Sequence, residues 1–348
     1  MRRWLLAFVA IVATVAAYAD DDVSQWNGEC CNTDCGHVFF TKETLLWKTC
    51  RPDMEYGLEA NTALPLIRNG RVHEMEFSWG VGMRLALGHT LTCDHWDIQL
   101  QYTRFHPKAI GSLVDSDELT QPQFYQMRFH PGMINPPGQF THASCKLKIS
   151  YDVIDLLVGH YFCPCPSLTL RPYGGVRALF LNQRMRLHYM GGAFIEQEIP
   201  GGIDQVKWDS EYKAFGFHGG SEWQCYFCRD LSVYANFGGS LLVGEPEDFQ
   251  IQTSTQDTTT LVDDRQFDFV ENDYYQMTCG CNAAIGLMWE VCCLDTLIAV
   301  TLGYEMHQWN GIPDARRFTS DTAYGLNTGR RHTHMGFHGL FFRCRADY

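Results

Sequence analysis

Apolar and polar residues alternate with a period of two in one segment of this chain after another. In "FSWGVGMRLAL" (77–87), Phe77, Trp79, Val81, Met83, Leu85 and Leu87 share one side, and Ser78, Gly80, Gly82, Arg84 and Ala86 the other. A period of two is the signature of a β-strand and does not fit a helix. Further along, Trp96, Ile98, Leu100 and Tyr102 oppose Asp97, Gln99, Gln101 and Thr103, while Leu147, Ile149, Tyr151 and Val153 oppose Lys146, Lys148, Ser150 and Asp152. Leu231, Val233, Ala235, Phe237, Leu241 and Val243 oppose Ser232, Tyr234, Asn236 and Ser240. Met277, Ala283, Ile285 and Leu287 oppose Gln276, Thr278, Asn282 and Glu290; Ile298, Val300, Leu302, Tyr304 and Met306 oppose Ala299, Thr301, Gly303 and Glu305.

These segments run roughly 11 to 18 residues, against about 5 or 6 for the strands of soluble sandwiches. A strand that crosses a bilayer at the usual tilt needs about 9 to 11. Glycine sits mainly on the polar face and aromatic residues sit toward segment ends, as in barrels with interfacial girdles. The links alternate: short near 88–94, 160–167, 225–230 and 291–295, long over about 50–72, 107–144, 184–206, 245–271 and 309–330. Short turns on one side and long loops on the other belong to the same architecture. The pattern predicts an all-β chain, an antiparallel transmembrane β-barrel of the bacterial outer membrane. Ten strands is a floor. "QFYQMRF" and "RMRLHYMGGAFIE" are candidate extra strands, leaving a range of 10 to 16.

The beginning of the chain reads as an export signal. "MRR" is a positive n-region, "WLLAFVAIVATVA" a short apolar core, and Ala17-Tyr18-Ala19 a small-x-small cleavage site. Residues 1–19 are therefore expected to be a signal peptide, 20–36 a cysteine-rich periplasmic segment, and 37–348 the barrel. Removing the signal takes Lys plus Arg from 27 to 25 against 40 Asp plus Glu, so the formal charge moves from -13 to -15. That balance excludes a nucleic-acid partner, whose phosphates demand a basic surface.

The chain carries 15 cysteines, a usage that fits an oxidising compartment. Neither zinc nor thioredoxin chemistry is expected of Cys225 and Cys228, because no second pair follows at the ribbon spacing and no βαβ pattern surrounds them. His332, His334 and His338 share a strand face but lack an adjacent carboxylate that would complete a metal site. No nucleophile-elbow, Walker or dinucleotide motif is present. The expectation is a non-enzyme with no cofactor and no metal.

In order along the chain, "HVFFTKETLLWK", "WDIQLQYTRF", "SYDVIDLLVGHYF", "LTLRPYGGVRALFLNQ", "LSVYANFGGSLLVGE" and "LGYEMHQWNG" resemble the strands of the Legionella-type major outer-membrane protein family. The cysteine content resembles that of the chlamydial major outer-membrane porin, as in chlamydia-like bacteria. The last strand, "HGLFFRCRADY", stops on an aromatic residue and so resembles the assembly signal of outer-membrane barrels, with tyrosine where phenylalanine is usual. The resemblance implies a porin in outer-membrane lipid that passes small hydrophilic solutes or ions, forms homo-oligomers and is disulfide-linked to other envelope proteins. The alternative is a surface structural protein or adhesin without an open pore.

The polar faces supply the candidate pore lining: Arg84, Gln99, Gln101, Lys146, Lys148, Asp152, Arg171, Arg177, Asn236, Gln276, Asn282, Glu290 and Glu305. The thiols Cys30, Cys31, Cys35, Cys93, Cys163, Cys165, Cys228, Cys292 and Cys293 gather near the short turns and the segment before the first strand, on the expected periplasmic side. Adjacent Cα atoms lie about 3.8 Å apart, too close for a usual disulfide, so Cys292 and Cys293 are expected to find separate partners.

Overall fold

The computed structural model describes residues 36–60, 70–91, 95–114, 123–126, 139–190, 193–194, 197–198, 203–228, 230–255, 265–271, 274–293, 296–318 and 328–348. The expected signal peptide and most of the cysteine-rich segment expected after it lie outside the described residues. Ten strands form the wall: β1 (Val38–Cys50), β2 (Gly80–Thr90), β3 (Trp96–Phe105), β4 (His142–His160), β5 (Leu168–Met190), β6 (Ile203–Tyr226), β7 (Leu231–Thr255), β8 (Gln276–Cys293), β9 (Thr296–Phe318) and β10 (Thr328–Asp347). Each pairs antiparallel with its neighbour in sequence, and β10 returns to β1 in a register from Phe39↔Asp347 to Cys50↔Gly336. The backbone of Tyr348 completes the seam: its N–H donates to Val38 O at 2.9 Å, and Val38 N–H donates back at 3.2 Å. Closure leaves the wall no edge, the condition a β-structure must meet in lipid, where unpaired amides have no water.

The strands are long because only part of each is in the membrane. A residue rises about 3.3 Å along a strand, or about 2.5 Å along the axis of a barrel tilted near 40°. β6, with 24 residues, therefore reaches far beyond the apolar band of about 25 Å. The side with short turns is the periplasmic one by the same rule, so the excess projects outward.

The alternation changes phase where the strands leave the bilayer. On β4 the outward residues near the base are Val158, Leu156 and Ile154, all exposed, whereas higher up they are Lys148 and Lys146. On β6 outward Phe217 and Phe215 give way to Lys213, Glu211 and Lys207, and on β7 outward Leu241 and Val243 give way to Glu245 and Glu247. The inner face changes in the opposite sense, with Asp155, Arg171, Arg177 and His218 low and Leu147, Leu179, Leu187, Val206 and Trp208 high. Lipid outside demands apolar residues outside; water outside returns the apolar residues to the interior. Exposed Trp96, Trp223 and Trp289 ring the base, and Trp79 and Tyr304 lie near the upper edge of the band.

Much of what the sequence suggested as long loops is strand. Residues 184–190 continue β5 and 245–255 continue β7, because the inverted phase is still an alternation. Of "QFYQMRF", Gln123–Gln126 joins Glu55–Ala60, Gly70–Glu74 and Gln139–Phe140 in a separate four-stranded sheet, not in the wall. Lys108–Val114 pairs with the upper half of β4, and Arg265–Glu271 with that of β7. Met54, Tyr56, Phe124 and Phe140, in and beside that separate sheet, are buried in one cluster with the inner-face residues Leu147, Leu187 and Tyr189. Tyr189 donates its hydroxyl hydrogen to Tyr56 O at 2.5 Å. β9 carries a bulge after Asn310, where Gly311 takes a φ of 82° and presents its carbonyl to Thr278 Oγ1 at 2.9 Å.

Candidate functional site: the barrel interior

Within the bilayer band the inner face is polar, and its charges are matched one against another. β1 and β2 bring Glu43 and Arg84 to opposite each other, a placement fixed by their direct pairing in the ladder. Arg84 Nη1 donates to Glu43 Oε2 at 2.5 Å and to Glu305 Oε2 at 3.2 Å, and its Nε donates to Thr103 Oγ1 at 3.1 Å. Glu305 also accepts from Trp47 Nε1 at 3.0 Å, and Glu43 from Arg343 Nε at 2.6 Å. His307 stands 3.2 Å from Glu305.

Two further guanidiniums repeat the arrangement. Arg171 on β5 grips Asp97 on β3 with two bonds of 2.6 Å and reaches Glu222 on β6 at 3.0 Å. Arg177 grips Asp155 on β4 at 2.5 and 2.8 Å and donates to Ser240 Oγ on β7 at 2.8 Å. Such forked guanidinium–carboxylate pairs are strong and directional. Asp97 and Asp155 have no exposed surface at all, and Glu43 and Glu305 almost none. A buried carboxylate is tolerated only when paired in this way.

Between these pairs remains a cavity of about 40 Å³ bordered by Gln99, Gln101, Tyr173, Asn236 and Asn282 besides the charged groups. That is room for a few waters. On its outer side an aromatic layer crosses the barrel: Phe337 stacks on Trp47 with centroids 5.6 Å apart and lies 5.5 Å from Phe105 and 4.7 Å from Tyr151. Trp309 Nε1 donates to the Tyr151 hydroxyl at 3.2 Å. Glycine at 280 makes space for this layer, since a Cβ there would lie 2.6 Å from the Trp309 ring. Small barrels are filled by side chains, whereas water-filled channels belong to barrels of about 16 strands; a ten-stranded wall sits near the filled end.

Of the residues picked from sequence, Arg84, Gln99, Gln101, Arg171, Arg177, Asn236, Asn282 and Glu305 border the cavity together. Glu290 points inward nearer the base and accepts from Gln224 at 2.9 Å; Gln276 points inward higher up and donates to Gly311 O. Lys146, Lys148 and Asp152 lie on the opposite, outer face, a correction to their placement in the lumen. They were assigned by taking the polar face as inner throughout, and on this strand the upper half is inverted. The outer side of Asp152 is fixed by its bond from the Tyr102 hydroxyl at 2.6 Å. Sequence reasoning missed Glu43, Asp97, Asp155, Glu222, His218, His307 and Arg343, all on the inner side. Parity with Arg84, Gln101 and Glu305 on their own or paired strands would have found most of them.

Cys163, Cys165 and Cys228 are free thiols at the short-turn end, and Cys292 is exposed at the base of β8. Cys30, Cys31, Cys35 and Cys93 lie outside the described residues, as does the side chain of Cys293. Among the described residues no cluster of His, Cys, Asp and Glu has metal-site geometry.

The model of the Legionella pneumophila major outer membrane protein precursor matches residues 38–347. The chain belongs to that family. It is accordingly a bacterial outer-membrane protein, and its surroundings are the lipid of that membrane. The family match covers all ten wall strands, in agreement with the resemblance seen in sequence. No curated protein matches the chain.

Among solved structures, the outer membrane protease OmpT from Escherichia coli is similar at 10% identity and a TM-score of 0.38, over 90% of this chain and 96% of that one. A Pseudomonas aeruginosa FadL homologue gives 11% and 0.27, over 90% of both chains. The Pseudomonas putida toluene transporter TodX gives 8% and 0.25, over 90% and 89%.

Proposed function

We propose that this family member is a structural protein of the outer membrane whose lumen is shut in its resting state. The observation that carries this reading is the filled interior, in which an ion-paired layer around a cavity of about 40 Å³ lies beneath an aromatic layer. This reading corresponds to the alternative of a surface structural protein or adhesin without an open pore. The thiols at the periplasmic end support the further reading that disulfides tie the barrel to the N-terminal segment or to neighbouring envelope proteins. Buried thiol partners are not needed for this, since Cys163 and Cys228 are exposed.

A porin reading has one specific observation in its favour: the membrane-level interior is polar and charged, where a purely structural barrel could be apolar. In that reading, small hydrophilic solutes pass only when the ion pairs rearrange. Swelling of proteoliposomes in arabinose or glycine separates the two. The closed reading expects rates equal to protein-free liposomes, and rapid swelling would establish the porin. Reducing and non-reducing gels of intact envelopes test the cross-links; a pattern unchanged by reductant would refute them.

A further inference from the structure

The outward face of the wall above the lipid band carries a concentration of cations, most of them without an ion-pair partner among the described residues. Lys148 on β4 stands directly between Lys108 on the strand Lys108–Val114 and Arg184 on β5. One pair higher, Lys146 faces Arg186, which in turn faces Lys207 on β6. All are on the outer face, and Lys146, Lys148, Arg184 and Lys207 are exposed. Arg186 has Asp209 at 2.8 Å. Lys108, Lys146, Lys148, Arg184 and Lys207 have no ion-pair partner among the described residues. Like charges directly opposite in a ladder are destabilising, and this chain has 27 cationic residues against 40 acidic ones. Gathering the scarcer charge into adjacent rungs calls for an external anion.

Position says which kind. Beneath this patch, on the same face of the same strands, lie exposed Ile154, Leu156, Phe180, Phe215 and Phe217. Arg184 is about four residues above Phe180, or roughly 10 Å along the axis, which is headgroup height above the hydrocarbon. An occupant continuous with both surfaces has acyl chains below and anionic groups above. We propose that Lys108, Lys146, Lys148, Arg184, Arg186 and Lys207 form a binding site for the phosphate-bearing headgroup of an outer-leaflet lipid. The lysines meet phosphate as point charges, Arg184 can take two oxygens at once, and Arg186, held by Asp209 and the carbonyls of Met185 and Trp208, adds its charge to the field.

The full-length protein, folded into phosphatidylcholine nanodiscs containing a minor fraction of bis-phosphorylated lipid A, tests this by the radiolabelled ligand retained per barrel after detergent exchange, each ligand carrying its own label. Parallel arms use dephosphorylated lipid A and inorganic phosphate alone. The expected result is several-fold retention of bis-phosphorylated lipid A over the dephosphorylated form. The triple variant Lys146→Gln, Lys148→Gln, Arg184→Gln is expected to lose most of it, while Lys42→Gln with Lys48→Gln on the outer face of β1 keeps it. Equal retention of the two lipids, or an unaffected triple variant, would overturn the site. Equivalent retention of inorganic phosphate would overturn its assignment to a lipid. The substituted side chains are exposed, so folding is expected to be intact, and the heat-dependent gel shift of the barrel verifies this.

Discussion

Arg84 on β2 and Glu305 on β9 lie 221 positions apart in sequence and 3.2 Å apart in the barrel, and both are buried. Glu43 shares the same guanidinium at 2.5 Å. Arg84→Ala would strip Glu305 of its guanidinium and leave Glu43 with Arg343 alone in a water-poor interior, at a cost of about 3–5 kcal/mol. Urea unfolding in lipid vesicles should show that loss. Combining Arg84→Met with Glu305→Gln should cost less than the two single changes together, because the pair is coupled. Additive effects would mean that the two side chains do not interact.

The inverted phase of the strands makes a second expectation quantitative. Leu156→Arg places a charge within the apolar band and should cost about 2–4 kcal/mol. Asn182→Arg, on the outer face of β5 above Phe180, should stay within about 0.5 kcal/mol. Leu147→Ala, on the inner face of the projecting half, should cost about 2–5 kcal/mol, as in a soluble core. Vesicle-based unfolding of the three variants measures all of these. A small effect at Leu147 would contradict a packed upper interior.

A third expectation concerns orientation. In backgrounds with one cysteine each, Cys50 at the outer end of β1 should react on intact cells with a maleimide carrying a polymer too large to cross the outer membrane. Cys228, in the short turn between β6 and β7, should react only after permeabilisation. The reverse pattern would turn the barrel over.

The strand class, the membrane architecture and the even closure were legible in sequence because the period of two survives in every strand. So was much of the cavity wall: Arg84, Gln99, Gln101 and Glu305 followed from parity alone. Lys146, Lys148 and Asp152 were misplaced because alternation tells which residues share a face but not which face is inner. The phase change is nonetheless written in "LKISYDVIDLLV", where Leu147, Ile149, Tyr151 and Val153 yield to Ile154, Leu156 and Val158. The pairing of specific charges was not legible, since Asp97 meets Arg171 only through the ladder that sets β3 beside β4 and β4 beside β5. Nor was the filling of the lumen, which depends on strand number, and the sequence bounded that only between 10 and 16.

Planar-bilayer recording of the purified barrel tests the shut lumen most directly. At neutral pH and molar salt, the wild-type protein should insert without conductance steps, while Arg84→Ala or Phe337→Ala, which remove parts of the two occluding layers, should raise the frequency of brief openings. Regular, long-lived steps from the wild-type protein would contradict a closed interior and make this chain a porin.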